Sequence, residues 1–531
     1  MKPLNHLTNQ LKANRISRRS FMRQGLAAGV SLSALSMAAS KVDAATPKKG
    51  GHMTVARGHG STTDVLDPGI VENGYTIGLC LGGYQGYLTE IGGDGGLEPS
   101  MAESWEASAD AKTWMFKLRD GMEFHNGRTV KAADVIASIN HHRGEDSTSA
   151  AAPLVSSVKD MKADGDNVIV VELEAGNADF PFIMTDYHLP IMPANDDGTM
   201  NWQDLVGAGA YKIDKYDAGV STALSRHGNH WSDAVGHLDT VEVLSIIDTN
   251  ARTAAMASGD VQAIDRVDLK TAELMGRKPG VNLVTATGTL HYSLPMLTDT
   301  APYDDNNIRL AIKYAVNRQE IVDKILFGYG EVGNDHPIGS GQRYFNKDLA
   351  QREYDPDKAK FHLKEAGLDS LAIKINASEA AFAGAVDAAI LIQNSAKGAG
   401  IELEVERTPN DGFWADHWIK SPFITSYWSG RPVEDQMFST AYQTGVSWNE
   451  TRQANERFDE LLVAARAELN EDTRRAMYYE MQEIVHNEGG ALIPMFASYV
   501  FAIADNVGMP EKTATNWDMD GERWMERWWL T

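Results

Sequence analysis

The sequence predicts an α/β protein with at least two lobes. Segments in which apolar and polar residues alternate, as in strands, follow segments with the 3.6-residue period of helices, and no short repeat interrupts this order. The chain has 531 residues, which is more than a single hydrophobic core normally fills. We therefore expect several cores rather than one continuous core.

The first elements are predicted from alternation and from turn residues. GHMTVARG (51–58) is typical of a strand, and TTDVLDPG (62–69) is typical of a loop that leads into a helix. KTWMFKLRDGMEF (112–124) alternates apolar and polar residues, which indicates a strand that ends in a turn. TVKAADVIASINHHR (129–143) has one apolar helical face, and NVIVVELE (167–174) indicates another strand.

Helix ends are clearest in the second half of the chain. In NRQEIVDKILFG (317–328), Asn317 can cap the helix, a glutamate follows three positions later, and a glycine ends the helix. In YDPDKAKFHLKEAG (354–367), Asp355 is the predicted cap, with a proline in the first turn and a glycine as the stop. Residues 471–488 predict a long amphipathic helix closed by two glycines.

The first 44 residues are predicted to be an export signal rather than part of the fold. The basic stretch SRRSFMR (17–23) precedes a short apolar stretch and small residues, so cleavage is expected after Ala44. The paired arginines followed by Phe21 resemble the twin-arginine type of signal, which exports folded proteins. An ordinary secretory leader is the alternative, and no lipid anchor is expected because no cysteine stands directly after the cleavage point.

The charge of the chain argues against several kinds of partner. Without residues 1–44 the chain carries 42 basic and 72 acidic residues, a net charge of −30. Such a surface is repelled by phosphates and anionic lipids, so no nucleic-acid partner is expected. The sequence contains one cysteine, Cys80, which excludes a disulfide framework and a cysteine metal cluster.

Motifs of catalysis are missing from the sequence. It contains no P-loop, no HExxH and no GxSxG, and the pair His141–His142, at a polar helix end, is expected to be solvated rather than to bind a metal. We therefore predict that the protein is not an enzyme, that it has no catalytic residue, and that it holds no cofactor and no metal.

Aromatic residues are concentrated after residue 410. Large aromatic faces with a few polar anchors are typical of concave sites for small polar ligands, although packing between lobes is the alternative for each ring. This group accompanies Arg431 and consists of Trp414, Trp418, Tyr427, Trp428 and Trp448.

Several stretches together resemble the large periplasmic binding proteins of ABC importers for dipeptides, oligopeptides and nickel chelates. The stretch MAESWEASADAKTWMFKLRDGMEFHNGRTVKAADVIASI (101–139) is similar to the signature of that family. VGAGAYKI (206–213) resembles its G-T-G-P-Y turn, with Ala208 and Ala210 as departures. DTNARTAAMASGDVQAI, NNIRLAIKYAVNRQEIVDKILFGYGEV and YDPDKAKFHLKEAG follow in the family's order, so the resemblance covers residues 50–530.

The resemblance implies a two-lobed periplasmic binding protein fold with a hinge, which closes over its ligand. The membrane permease of an ABC importer would be the second partner, and the protein would be a periplasmic monomer. The implied division is 46–95, 200–290 and 499–531 for the core of lobe I, 96–199 for an extra subdomain of lobe I, and 291–498 for lobe II.

The resemblance also suggests a role for Arg431. In the peptide binders a D-Y-x-x-P-x-x-F segment lies at the cleft wall, and its aspartate pairs with the amino terminus of the peptide. If Phe438 matches the final phenylalanine, Arg431 stands where that aspartate would be. An arginine there repels an amine and offers two parallel hydrogen bonds to a carboxylate, phosphate or sulfonate. The alternative is that Arg431 pairs with Glu434 or Asp435 on its own loop.

Further ligand-contact candidates accompany Arg431, Trp428 and Tyr427. His291 and Tyr292 lie on a predicted strand at the suspected hinge, Trp448 and Asn449 precede a helix, and Tyr75 is placed in the loop after the first strand. Each has packing as its alternative. The candidate ligands are short peptides, opine-like conjugates, metal chelates and oligosaccharides, and the competing functions are an enzyme of the same fold and a sensory receptor.

Overall fold

The computed structural model describes residues 47–71, 73–144, 147–409, 413–431 and 433–531. The predicted export signal therefore lies outside the described residues. Among the helices that are described, none is both long and apolar enough to cross a bilayer.

The structure mixes strands and helices along its whole described length. The strands are His52–Arg57, Thr89–Ile91, Leu97–Pro99, Ala102–Ala107, Thr113–Leu118, Val158–Asp164, Val168–Leu173, Tyr211–Asp217, Ser221–Arg226, Thr240–Ser245, Ala263–Ile264, Val281–Pro295, Gly330–Val332, Leu371–Ala377, Ile401–Arg407, Ser426–Trp428, Ala491–Ala504, Val507–Gly508 and Trp529–Leu530. The α-helices and short helical turns are Gly74–Leu79, Ala132–Asn140, Ala152–Val155, Phe180–Ile183, Thr249–Ser258, Leu269–Gly276, Asn306–Tyr314, Arg318–Ile325, Pro356–Glu365, Ala385–Ala396, Phe413–His417, Glu434–Ala441, Glu456–Ala467, Glu471–Glu488, Asp518–Gly521 and Trp524–Arg527.

The elements that were predicted from local signals are confirmed. Strands occupy His52–Arg57, Thr113–Leu118 and Val168–Leu173, and a helix occupies Ala132–Asn140. Asn317 accepts a hydrogen bond from the backbone N of Glu320, and Asp355 accepts bonds from the backbone nitrogens of Asp357 and Lys358. The helix Glu471–Glu488 is the longest of these elements.

Two long antiparallel strands dominate the central sheet, Val281–Pro295 and Ala491–Ala504. The strand order in this sheet is Ser426–Trp428, Val281–Pro295, Ala491–Ala504, Ala263–Ile264, His52–Arg57, Thr240–Ser245, Ser221–Arg226 and Tyr211–Asp217, and Gly330–Val332 also pairs with Ala491–Ala504. Because each long strand spans 14 or 15 residues, the pair joins the parts of the molecule on either side of it.

Smaller sheets stand apart from the central one. The four strands Ala102–Ala107, Thr113–Leu118, Val168–Leu173 and Val158–Asp164 form an antiparallel sheet. Leu371–Ala377 and Ile401–Arg407 pair in parallel and are connected through the helix Ala385–Ala396, a βαβ unit.

Buried apolar side chains form separate cores. One draws on residues 53–87, 192–286 and 501–528, a second on residues 88–208, and two further cores on residues 294–497 and 338–496. These cores run close to the lobe boundaries expected above, and the division into lobe I, its subdomain and lobe II stays a prediction.

A buried ion pair joins residues 96–199 to residues 291–498. The two guanidinium nitrogens of Arg474 donate to the two carboxylate oxygens of Asp179 at 2.8 and 2.5 Å, and both side chains are almost inaccessible to water. The backbone N of Ala178 donates to the carbonyl oxygen of Arg466 at 2.6 Å beside this pair. The two segments are therefore in direct contact in this conformation.

Candidate functional site

The candidate site is built around an irregularity in the first long strand. Thr287 pairs with Ser498 and His291 pairs with Phe496, so four steps on one strand oppose two on the other. We call residues 288–290 the strand bulge. Gly288 permits it because a Cβ there would lie 2.4 Å from a ring carbon of Tyr499.

Gly430 brings Arg431 against this bulge. Strand Ser426–Trp428 pairs with residues 291–293 at the sheet edge, and the chain then turns over Thr289. A Cβ at Gly430 would lie 1.7 Å from Oγ1 of Thr289 and 3.1 Å from the carbonyl oxygen of Asn516, so only glycine fits between them. The bulge, the 426–431 segment and the C-terminal tail therefore meet at one place.

Buried polar atoms in this region have no hydrogen-bond partner within the described part of the chain. They include Oγ1 of Thr289 and Nε2 of His291, and Oδ1 of Asn516 in the adjoining tail. Buried polar atoms are normally satisfied by protein, water or ligand. The region therefore has the polar character expected of a place that a ligand or water occupies.

His291 is a neutral acceptor here. Its ring is fully buried, and burial lowers its pKa to about 4, with Arg431 acting in the same direction. Nδ1 lies 3.1 Å from the carbonyl oxygen of Thr289, so it must carry the proton and donate. Nε2 is then an acceptor that a donor group on a ligand can satisfy.

Arg431 is a partly buried cation that no carboxylate of the described residues approaches within 4 Å. Its Nη1 donates only weakly, to the carbonyl oxygen of Gly430 at 3.3 Å, and its guanidinium carbon lies 6.0 Å from the ring centre of Trp428. Burial lowers its pKa, while the nearby Tyr187 and Asp186 act to raise it.

The pairing of Arg431 within its own loop is not observed. Glu434 accepts a hydrogen bond from the backbone N of Tyr344 at 2.7 Å. Asp435 forms an ion pair with Arg466 at 3.0 Å. Both carboxylates are therefore used elsewhere, and the guanidinium of Arg431 is left for another anion.

A connected group of aromatic rings reaches Arg431 through Trp428. We call this group the aromatic wall; its ring centres lie 5.7 to 6.3 Å apart, and it consists of Trp414, Trp418, Tyr427, Trp428 and Trp448. Tyr427 and Trp448 are 40% and 47% exposed, whereas Trp428 is buried. Tyr427 and Trp448 therefore present free surface, and Trp428 contributes packing and its position beside Arg431.

Glu450 organises this wall, a role that is not predicted from the sequence. The buried carboxylate accepts from Nε1 of Trp418 at 2.9 Å and from Nε1 of Trp428 at 2.8 Å. It also accepts from Oγ of Ser293 at 2.8 Å and Oγ of Ser426 at 2.7 Å. A glutamate in a polar stretch gives no local signal of such a role, because its donors come from three distant segments.

Two other predicted contact residues, Tyr292 and Asn449, lie in different surroundings. Tyr292 stacks on Phe382 with ring centres 4.0 Å apart and pairs across the sheet edge with Tyr427. Asn449 is buried, and its amide donates to the carbonyl oxygens of Gln443 and Gln453 and accepts from Gln453 N within its own turn. Its side chain has little capacity left for a ligand.

The predicted location of Tyr75 in a loop was wrong. Tyr75 lies in the first turn of helix Gly74–Leu79, because Asn73 caps that helix by accepting from the backbone nitrogens that follow it. Its hydroxyl donates to the carbonyl oxygen of Val243 and hydrogen-bonds with Thr222 in the core. The structure does not bring its hydroxyl to the bulge.

Local signals existed for some of the residues that were missed. A glycine inside a strand pattern, as at position 288, indicates a bulge or a close approach, so the bulge was predictable. Thr289, Asn516 and the facing Asp186 and Tyr187 had no such signal, because only the tertiary fold brings them towards Arg431.

His336 is a second buried histidine near this region, and it should make stability depend on pH. Neither ring nitrogen has a hydrogen-bond partner among the residues described, and burial lowers its pKa to about 3. The charged or titrating groups that act on it are His486, Asp335, His291 and Lys313.

Replacement of His336 by leucine should flatten the acid limb of the stability curve. The unfolded histidine binds a proton below about pH 6.5 and the folded one does not, so its contribution is present above that pH and is lost as the pH falls towards 3. Over this pH range His336 lowers the free energy of unfolding of wild type by about 1.4 kcal/mol for each pH unit of acidification. Urea unfolding of His336→Leu between pH 8 and pH 5 should show a shallower decline than wild type; equal declines would contradict the assignment.

No set of three or more histidine, cysteine, aspartate or glutamate side chains within the described ranges is arranged to hold a metal ion. The site thus consists of a free guanidinium, an aromatic wall and unpartnered polar atoms at a strand bulge.

The chain is similar in sequence to known binding proteins. The sequence profile described as "Bacterial extracellular solute-binding proteins, family 5 Middle" matches residues 96–450. Dipeptide-binding protein DppE of Bacillus subtilis (strain 168) is 25% identical over 441 residues, 77% of this chain and 80% of that protein. Heme-binding protein A of Haemophilus influenzae is 27% identical over 449 residues, 76% of this chain and 80% of that protein.

Solved structures show the same fold. The PBP AgaA from A.tumefacien R10, in complex with agropinic acid, has a TM-score of 0.71 at 23% identity. The likeness covers 91% of this chain and 99% of the AgaA chain. The predicted α/β periplasmic binding protein fold is confirmed by this likeness.

Proposed function

Because this chain belongs to the bacterial extracellular solute-binding proteins of family 5, we propose that it captures a small peptide or peptide-like solute through an anionic group held by Arg431. The protein is a solute-binding component of an ABC importer and is not an enzyme. It acts in the periplasm or extracellular space, and the permease of that importer is the partner that receives the solute.

One observation carries the proposal, namely the unpaired guanidinium of Arg431. The carboxylates of its own loop are engaged by Tyr344 and Arg466, so they do not neutralise it. A partly buried cation without a counter-ion is stabilised by an anionic ligand, and the planar guanidinium binds carboxylate, phosphate or sulfonate in two parallel hydrogen bonds.

The rest of the site supports the peptide-like part of the proposal. Nε2 of His291 can accept from an amide N–H, and Oγ1 of Thr289 can donate or accept. The exposed faces of Tyr427 and Trp448 offer apolar area for a side chain or a ring. AgaA, a protein of the same fold, was solved in complex with agropinic acid, which is an example of an acid bound in this fold.

Replacement of Arg431 by alanine should remove binding of anionic solutes. We expect N-acetyl-alanyl-alanine, opine-like conjugates or both to raise the melting temperature of wild type, because a ligand that binds only folded protein must do so. In Arg431→Ala, Kd for the stabilising acid should rise about tenfold to hundredfold, the value of a charge-assisted hydrogen bond. Thermal-shift screening and calorimetry measure both.

The matched control is Arg277→Ala. Arg277 is an exposed arginine that pairs with Glu273 one turn away, so the variant changes the net charge equally and should bind like wild type. The panel also includes cationic alanyl-alanine amide, nickel chelates and oligosaccharides. Equal stabilisation of wild type and Arg431→Ala by the cationic or neutral compounds would contradict the proposal.

A further inference from the structure

A second arginine, Arg266, lies in predicted lobe I, one residue before Val267, and Val267 bonds to the strand that carries Tyr499, the ring packed against Gly288 of the bulge. Its backbone has a φ of 46°, the left-handed region that is unfavourable for a residue with a side chain. Its neighbours hold it there. The Asp265 carboxylate accepts from the backbone N of Gly58 at 2.7 Å and from Nε of Arg57 at 2.9 Å, and Val267 N donates to the carbonyl oxygen of Val500 at 3.0 Å.

The Arg266 side chain is exposed and has no carboxylate of the described chain within 4 Å. Asp265 and Glu522, two of the carboxylates on this side, both form buried ion pairs with Arg57 instead. The chain has 73 acidic residues against 49 lysines and arginines, so surface arginines have many potential partners. A rigid, strained turn that presents an unpaired cation is the kind of feature that clusters at ligand sites.

A series of contacts between other residues leads from the turn of Arg266 to the segment of Arg431. Val500, which holds the turn of Arg266, follows Tyr499, and the Tyr499 ring packs against Gly288 at the start of the bulge. Thr289 comes next and touches Gly430, the residue before Arg431. The positive charge of Arg266 also acts on the hydroxyls of Tyr292 and Tyr499, where it lowers the pKa against the raising effect of burial.

We propose that Arg266 is a second anion-binding residue of this cleft, so that the solute carries two anionic groups, one bound by Arg431 and the other by Arg266. The inference rests on the proposed function, since it concerns the same site and narrows its substrate class to dianionic peptide-like conjugates. Two guanidinium groups without a carboxylate partner favour such a solute over one with a free amino group, because each would repel an ammonium.

Two matched acids test the second site, N-acetyl-alanyl-alanine with one carboxylate and N-succinyl-alanyl-alanine with two. Calorimetry of wild type should give a Kd for the succinyl compound about tenfold lower than for the acetyl compound. Arg266→Gln should bring the ratio of the two Kd values near one and leave the acetyl Kd almost unchanged. Arg266→Lys should retain part of the ratio, and Arg277→Ala should retain all of it.

The outcomes separate the two proposals. If Arg431→Ala does not weaken the acetyl compound, the proposed function fails. If Arg431→Ala weakens binding of the acetyl compound but the ratio of the two Kd values is the same in Arg266→Gln and wild type, the second site alone is overturned. If neither these two acids nor the opine-like conjugates raise the melting temperature of wild type at millimolar concentration, both proposals are overturned. Arg266 is exposed, so the variants should fold, and their urea unfolding curves check this.

Discussion

Replacement of Glu450 by alanine should lower the free energy of unfolding by about 3–5 kcal/mol and disorganise the aromatic wall. Glu450 accepts four hydrogen bonds, and its removal leaves four donors without their acceptor in a buried place. The hydroxyls of Ser293 and Ser426 can rotate towards other acceptors, but the two indole N–H groups cannot. An unsatisfied buried donor costs about 1–3 kcal/mol, which sets the expected range.

Urea unfolding gives the stability of Glu450→Ala, and tryptophan fluorescence reports on the wall. We expect a red-shifted and broadened emission in the folded variant, because Trp418 and Trp428 lose the hydrogen bonds that orient them. Glu450→Gln should also be destabilised, since its amide nitrogen is a donor that faces other donors.

The control for Glu450 is Glu460→Ala. Glu460 is exposed and lies 3.8 Å from Arg457 at the surface, so its loss should change stability by less than about 0.5 kcal/mol. A loss below about 1 kcal/mol for Glu450→Ala would show that Glu450 does not organise the wall.

Replacement of Asp179 by alanine should lower the free energy of unfolding by about 3–5 kcal/mol, because it leaves the Arg474 guanidinium buried without a counter-ion. The pair joins residues 96–199 to residues 291–498, so the variant should also loosen the contact between these segments. Differential scanning calorimetry measures the loss, and a larger radius of gyration in X-ray scattering reports the loosening.

A double variant distinguishes a lost charge pair from a general packing defect. Asp179→Leu with Arg474→Met removes both charges, and it should be more stable than Asp179→Ala, because an apolar pair of similar volume carries no desolvation penalty. The exposed pair Arg457–Glu480 is the control, and its disruption should cost less than about 1 kcal/mol. A double variant less stable than the single one would contradict this explanation.

Local signals in the sequence determined much of the fold. Alternation in the strand that contains Thr113–Leu118 and the caps Asn317 and Asp355 predicted elements that the structure confirms. These signals work because strand alternation and helix capping depend on residues a few positions apart. Tyr75 shows their limit, since the cap Asn73 that places it in a helix lies just beyond the loop signals of residues 62–69.

For the candidate site, the sequence by itself predicted the cation and the aromatic residues near it and, through its resemblance to a family, it determined the fold that brings them together. Whether Arg431 was free depended on where Glu434 and Asp435 find partners, and those partners, Tyr344 and Arg466, are far away in the chain. Only the tertiary structure decided this. The same holds for Glu450, because a buried carboxylate is defined by donors that arrive from other segments. Local propensities act over a few residues, whereas burial and charge pairing depend on contacts between distant ones.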